Sequence, residues 1–217
     1  MLRVRFSFAV ALALAVLGVA SAPALAAKPT LFGVNLVKNG SAEAGPVSAT
    51  GQTAVSIPNW QVVSGTGFTV VKYGTPGGFP TKGQAPPKAG KRFFSDGVGS
   101  GATCNEIDQV IPISGHGSLI DGGHVAVTAS AWMATYSNQS DTAAVALYFD
   151  TAAGTAIRGM VLGSATRTND EFIQVTESIP LSVGTRKLEV AIEAVGGHDG
   201  AYCDAYFDKI SLKLTKI

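Results

Sequence analysis

An all-β fold, an antiparallel β-sandwich, is predicted by three features of this 217-residue chain. Short apolar or alternating runs rich in Val, Ile, Thr and aromatics recur from Leu31 to the C-terminus. Clusters of Gly, Pro, Asn, Asp and Ser separate them, and 26 glycines supply the tight turns. No segment carries a helical stripe, which leaves sheets as the way to bury the apolar faces. The expected strands are 31–38, 56–63, 67–73, 91–95, 105–113, 124–135, 142–150, 155–162, 171–179, 185–195 and 204–215. Residues 74–90, GTPGGFPTKGQAPPKAG, form the one long irregular stretch, of a length that suggests a binding rim or a solvated connector.

The first residues read as an export signal. Arg3 and Arg5 precede the apolar run FSFAVALALAVLGVA, and Ala24 and Ala26 follow at the spacing of a cleavage site. The run is shorter than the roughly 20 residues that cross a bilayer. Cleavage after Ala26 makes 1–26 a secretory signal peptide and 27–217 a single β-sandwich domain, secreted to an extracellular or periplasmic space. Loss of the two arginines moves the formal charge from +1 to −1, and such near-neutrality gives no footprint for nucleic acid or for an anionic membrane surface. A monomer without membrane insertion is expected. Hydrophobic residues make up 46% of the chain, enough for a sizeable core. In an exported protein the two cysteines, Cys104 and Cys203, are most simply a disulfide.

Alternation assigns faces along the strands. In HVAVTASAWMAT, Val125, Val127, Ala129, Ala131 and Met133 share a core face, which turns Trp132 the other way. In DTAAVALYFD, Val145, Leu147 and Phe149 point inward and Tyr148 outward; in RKLEVAIEAV, Leu188, Val190 and Ile192 point inward and Glu189 and Glu193 outward. Aromatic rings beside carboxylates suit sugars, whose apolar ring faces stack on aromatics while their hydroxyls hydrogen bond to polar neighbours.

In order along the chain, N-L-V-x-N-G-S-x-E at 35–43, IPNW at 57–60, KAGKRFF at 88–94, QVIPI at 109–113, SAW at 130–132 and AYFDKISLKL at 205–214 together resemble the galactose-binding-like jelly rolls. Carbohydrate-binding modules of families four, nine and twenty-two belong to that group. The resemblance covers about residue 31 to 217. It implies a structural Ca²⁺ held by the carboxylates of Glu43 and Asp208 and by the carbonyls of Ser41 and Lys91, with Lys88 a further position. Oxygen donors of this kind suit a hard cation that takes 6 to 8 ligands. Two positions depart from the pattern: Ala42 stands where many members carry a phenylalanine, and Lys88 where some offer another carboxylate. The resemblance also places Trp60 in the core and a polysaccharide or glycan on a concave face drawn from 105–113, 124–135, 142–150 and 185–195. The ligand-binding candidates there are Trp132, Tyr148 and Glu193, followed by Asp108, Tyr136 and Arg158, with Tyr73 and Phe79 at the long-loop rim.

No GxSxG, HExxH, Walker loop or zinc-type Cys/His spacing occurs, so no catalytic residues are assigned and the domain is expected not to be an enzyme. His116, His124 and His198 lie in or beside glycine-rich turns, and His198 beside Asp199 in GGHDG is the one that suggests general acid-base chemistry. Three classes stay open at this level: a glycan-binding domain with a structural calcium, a structural or protein-interaction sandwich of the same fold, and a jelly-roll polysaccharide lyase or hydrolase.

Overall fold

The computed structural model describes residues 31–96, 104–195 and 203–217. Residues 1–26, expected to be a signal peptide, and His198 with Asp199 lie outside the described residues. Ten strands follow in order: β1 (Gln61–Ser64), β2 (Thr69–Lys72), β3 (Arg92–Ser95), β4 (Glu106–Pro112), β5 (Val125–Thr135), β6 (Thr142–Asp150), β7 (Ala156–Thr166), β8 (Ile173–Pro180), β9 (Lys187–Val195) and β10 (Ala205–Lys216). They form two five-stranded antiparallel sheets, β1-β4-β9-β6-β7 and β2-β3-β10-β5-β8. The chain crosses repeatedly between the two sheets, as a sandwich of this kind requires. A 3₁₀ turn at Ser114–His116 runs into a short helix, α1 (Gly117–Asp121). Five residues are too few to show a stripe in sequence, and only Ile120 is buried there.

The inward faces are those that alternation assigns. Val125, Val127, Ala129, Ala131 and Met133 from β5 meet Val145, Leu147 and Phe149 from β6 and Leu188, Val190 and Ile192 from β9 in one core. Trp60 joins that core, its ring edge-on to Phe94 at 5.3 Å. Cys104 and Cys203 form a disulfide with Cα atoms 5.4 Å apart, joining the approach to β4 in one sheet to the approach to β10 in the other.

The expected first strand, 31–38, does not form. The Asn35 side chain takes up backbone groups instead: its Oδ1 accepts from the N–H groups of Val37 and Leu212, and its Nδ2 donates to the Ile210 carbonyl. What remains beside β10 is an isolated parallel bridge, Phe32 to Leu214. The Asn39-Gly40 pair does turn the chain, with Asn39 at φ 52. Gly40 is required by proximity, since a Cβ there would stand 2.2 Å from the Ile210 carbonyl oxygen. Ala42, also left-handed at φ 55, is fully buried in the core.

A second correction concerns the site. The sequence reading groups 124–135 with 105–113, 142–150 and 185–195 on one face, but β5 pairs with β10 and β8 and so belongs to the opposite sheet from β4, β6 and β9. Alternation tells which side of its strand a residue faces. It carries no information on which sheet the strand joins.

Candidate functional site

The outer face of the first sheet gathers acidic groups. Register sets Glu106 opposite Glu193, Asp108 opposite Ala191, and Val110 opposite Glu189; across the next ladder Glu189 lies opposite Tyr148. Glu106, Asp108, Glu189 and Glu193 therefore share one surface beside a single aromatic ring. Like charges opposite one another across a ladder are destabilising. Their proximity shows in their titration. Burial raises the Glu106 carboxyl above its ordinary range, and the charges of Glu193 and Asp108 raise it further. Burial, then the charges of Asp108, Asp150 and Glu106, raises Glu189, and the neighbouring Asp108 side chain adds to the rise. Burial also raises Asp108, an effect that the Glu189 side chain opposes, and its Oδ1 is buried without a partner.

Tyr148 is placed by what its neighbour lacks. Its partner on β7 is Gly159, and a Cβ at that position would come 2.7 Å from Tyr148 Cδ1. The absence of a side chain lets the phenol ring lie over the β7 backbone. Burial, then the charges of Glu106, Glu193 and Glu189, raises its hydroxyl above the ordinary phenol range, so it stays a neutral donor. The surface thus offers a ring face, acceptors and a donor to a polyhydroxylated ligand. Glu106 shares this face and is not among the sequence candidates, although its spacing of two from Asp108 in EIDQVIP puts both on one face.

Of the six ligand-binding candidates, Tyr148, Glu193 and Asp108 meet on this face. Arg158 does not: it is registered with inward-facing Phe149 on the edge strand β7, its guanidinium 5.8 Å from that ring. Trp132 lies on the outer face of the second sheet, opposite Asp208 and Gln174. Tyr136, just past β5, packs there as well, its ring over Gly78.

The second sheet's outer face is partly roofed. Val71, Phe79, Phe93, Ala134, Phe172 and Tyr206 form a separate apolar cluster, with Tyr73, Trp132 and Tyr136 packed against it. Phe79, expected at an exposed rim, is buried between Phe93 and Tyr206 at centroid distances of 6.3 and 6.1 Å. The long stretch 74–90 therefore covers this face, because its one aromatic residue is apolar enough to anchor it.

Beside the roof stand Glu43 and Asp208. Glu43 Oε1 accepts from the N–H groups of Lys91 and Arg92 at 2.6 and 2.9 Å. Asp208 is fully buried and accepts from the Tyr73 hydroxyl at 2.8 Å and from the Lys209 N–H at 2.6 Å. Burial pushes its carboxyl up to about 6 against those bonds and one from Ser41, and the Glu43 charge adds to the rise. The ion pair found among the described residues is Arg186 with Asp121, so neither carboxylate is neutralised by a side chain. This donor set fits a hard cation that takes two carboxylates and completes its shell with carbonyls. Of the latter, the Lys91 oxygen already accepts from the Tyr73 N–H at 3.2 Å. Among the described residues no group of three or more His, Cys, Asp or Glu could hold a metal, which limits the carboxylate share to these two.

No family model matches the chain, and no curated protein matches it. Solved structures do. A cyclase from Fischerella sp. TAU, in complex with 4-(1H-indol-3-yl)butan-2-one, superposes with a TM-score of 0.56 at 11% identity over 84% of this chain and 98% of the cyclase. The chain is a jelly-roll β-sandwich. An arabinose-bound GH51 α-L-arabinofuranosidase matches at 0.52 and 15% identity over 84% of this chain, which spans only 27% of that enzyme. A family 61 carbohydrate-binding module in complex with β-1,4-galactotriose matches at 0.48 and 14% identity, over 85% of this jelly roll and 99% of the module. Modules of families 22 and 16 are also matched, with TM-scores of 0.42 and 0.47. At these identities what is shared is the fold, and the function of this jelly roll rests on its own surfaces.

Proposed function

We propose that this is a secreted glycan-binding domain without catalysis of its own, which takes a neutral saccharide on the outer face of the first sheet. The observation that carries the reading is the Tyr148 ring held over Gly159 beside Glu106, Asp108, Glu189 and Glu193. A sugar ring stacks on the phenol face while its hydroxyls donate to the carboxylates, and such bonds to charged acceptors are the stronger kind. Four acidic groups that repel one another serve a sandwich poorly as scaffold but serve a hydroxyl-rich ligand well.

Within the same proposal, a structural Ca²⁺ joins Glu43 to Asp208, with the carbonyls of Ser41 and Lys91 as further ligands. It would tie the N-terminal segment to the last strand. A glycan array with calcium present tests the function: binding to a related set of neutral glycans that Tyr148→Ala loses is the expected result, and silence across the array refutes it. For the ion, chelator is expected to lower the melting temperature of the wild type and to leave Glu43→Ala nearly unchanged. Equal sensitivity of the two proteins contradicts the metal assignment.

A further inference from the structure

The face opposite the proposed glycan surface holds a cavity of about 450 Å³, a size that accepts a small ligand. Trp132 forms part of its wall, with Gln174 from β8 and Ser130 from β5 beside it and Lys209 and Lys213 from β10 on the other side. The bulge in β10 between Asp208 and Ser211, where Lys209 adopts φ 52, shapes this wall. Lys209 Nζ donates to the Pro87 carbonyl at 2.7 Å, which leaves two of its protons for another acceptor. Lys213 is exposed. No residue lining the cavity is acidic. Asp208, the nearest carboxylate along β10, is buried and engaged by Tyr73 and by the Lys209 N–H.

An indole platform, amide and hydroxyl groups, and two ammonium groups without a carboxylate among them form a set complementary to a sugar that carries negative charge. We infer that this cavity is a second site, for an acidic saccharide, distinct in position and in charge preference from the carboxylate-lined face. The inference takes only its ligand class from the proposed function. The cation completes the specificity, because the same ring without charge would gain the stacking and lose the ion contacts.

The test uses short oligogalacturonates, their fully methyl-esterified counterparts as neutral controls, and a sulfated galactan oligosaccharide, titrated calorimetrically into wild type, Lys213→Gln, Trp132→Phe, Trp132→Ala and Tyr148→Ala. Expected is binding of the uronate or the sulfated probe that the neutral ester does not match. It should weaken about fivefold or more in Lys213→Gln and with rising salt, and stay unchanged in Tyr148→Ala. Preference for uronate over sulfate, or the reverse, identifies the charged group. Lys213 is exposed, so its substitution leaves the fold intact, and Trp132→Phe guards against a packing defect in Trp132→Ala. Equal binding of acidic and neutral probes, indifference to Lys213→Gln, or no binding of either acidic probe overturns the inference. Loss of neutral-glycan binding in Tyr148→Ala bears on the first face alone, so the two proposals fail separately.

Discussion

The two outer faces of this sandwich start from the same strand pattern and end as different surfaces. On the first sheet, outward positions of β4, β9 and β6 carry Glu106, Asp108, Glu189, Glu193 and Tyr148, and among the described residues no loop anchors an aromatic cluster over them. On the second, outward positions of β2, β3 and β10 carry Val71, Phe93 and Tyr206, and Phe79 from the long loop closes over these. The difference lies in what the outward residues offer. Apolar outward groups recruit a roof, whereas charged ones keep a face open to solvent and to a hydrophilic ligand.

The largest way to break the contrast is to unroof the second sheet. Phe79→Ala is expected to cost about 3 kcal/mol, in the range for truncating a buried phenylalanine, and to leave neutral-glycan binding at the first face within about twofold. Denaturant unfolding and calorimetry check the two halves. Loss of that binding would mean that the faces are not independent. Severing the Cys104–Cys203 link, which joins the two sheets, acts on both faces alike: a Cys104→Ser/Cys203→Ser double variant is expected to lose about 2 to 5 kcal/mol across a loop of 99 residues. A smaller and more local effect is expected from Gly159→Ala. The new methyl group displaces the Tyr148 ring, and neutral-glycan affinity should fall severalfold with the melting temperature nearly unchanged. Unaltered affinity would show that the ring's seat on β7 is irrelevant.

The Glu43–Asp208 end sharpens the comparison by pH. The Asp208 carboxyl is raised to about 6, above the roughly 3.9 of an unfolded aspartate. The folded state therefore binds this proton more tightly, so the metal-free protein is favoured at low pH and loses stability as pH rises through about 4 to 6. Asp204, raised to about 6 by burial and then by Asp141, and Asp96, raised to about 7 by burial, act in the same direction. In the proposed site calcium would compete with the Asp208 proton, so a stabilising effect of the ion, read as the shift in melting temperature, is expected to be larger at pH 8 than at pH 5.

Much of the fold was legible in the sequence because period-two alternation reports burial directly: Val125 to Met133 and Leu188 to Ile192 lie inward as their spacing requires. The run 31–38 misled because Asn35, a single polar side chain, captures the backbone groups a strand would have used. The grouping of the candidate residues was half legible. Tyr148, Asp108 and Glu193 share a face, but Trp132 does not, since sheet membership depends on pairings across distant parts of the chain. Gly159 was invisible as a site residue, for its role is to be absent beneath a ring on the next strand.

The most direct test of the central claim is to map the contact surface in solution. Backbone amide shifts of the isotope-labelled domain would be followed as a neutral oligosaccharide found on the array is titrated in. The account predicts that perturbations concentrate on β4, β9 and β6 around Glu106, Asp108, Glu189, Glu193 and Tyr148 and spare β5 and β10. Perturbations centred on Trp132 and β10, with the first face silent, would contradict it.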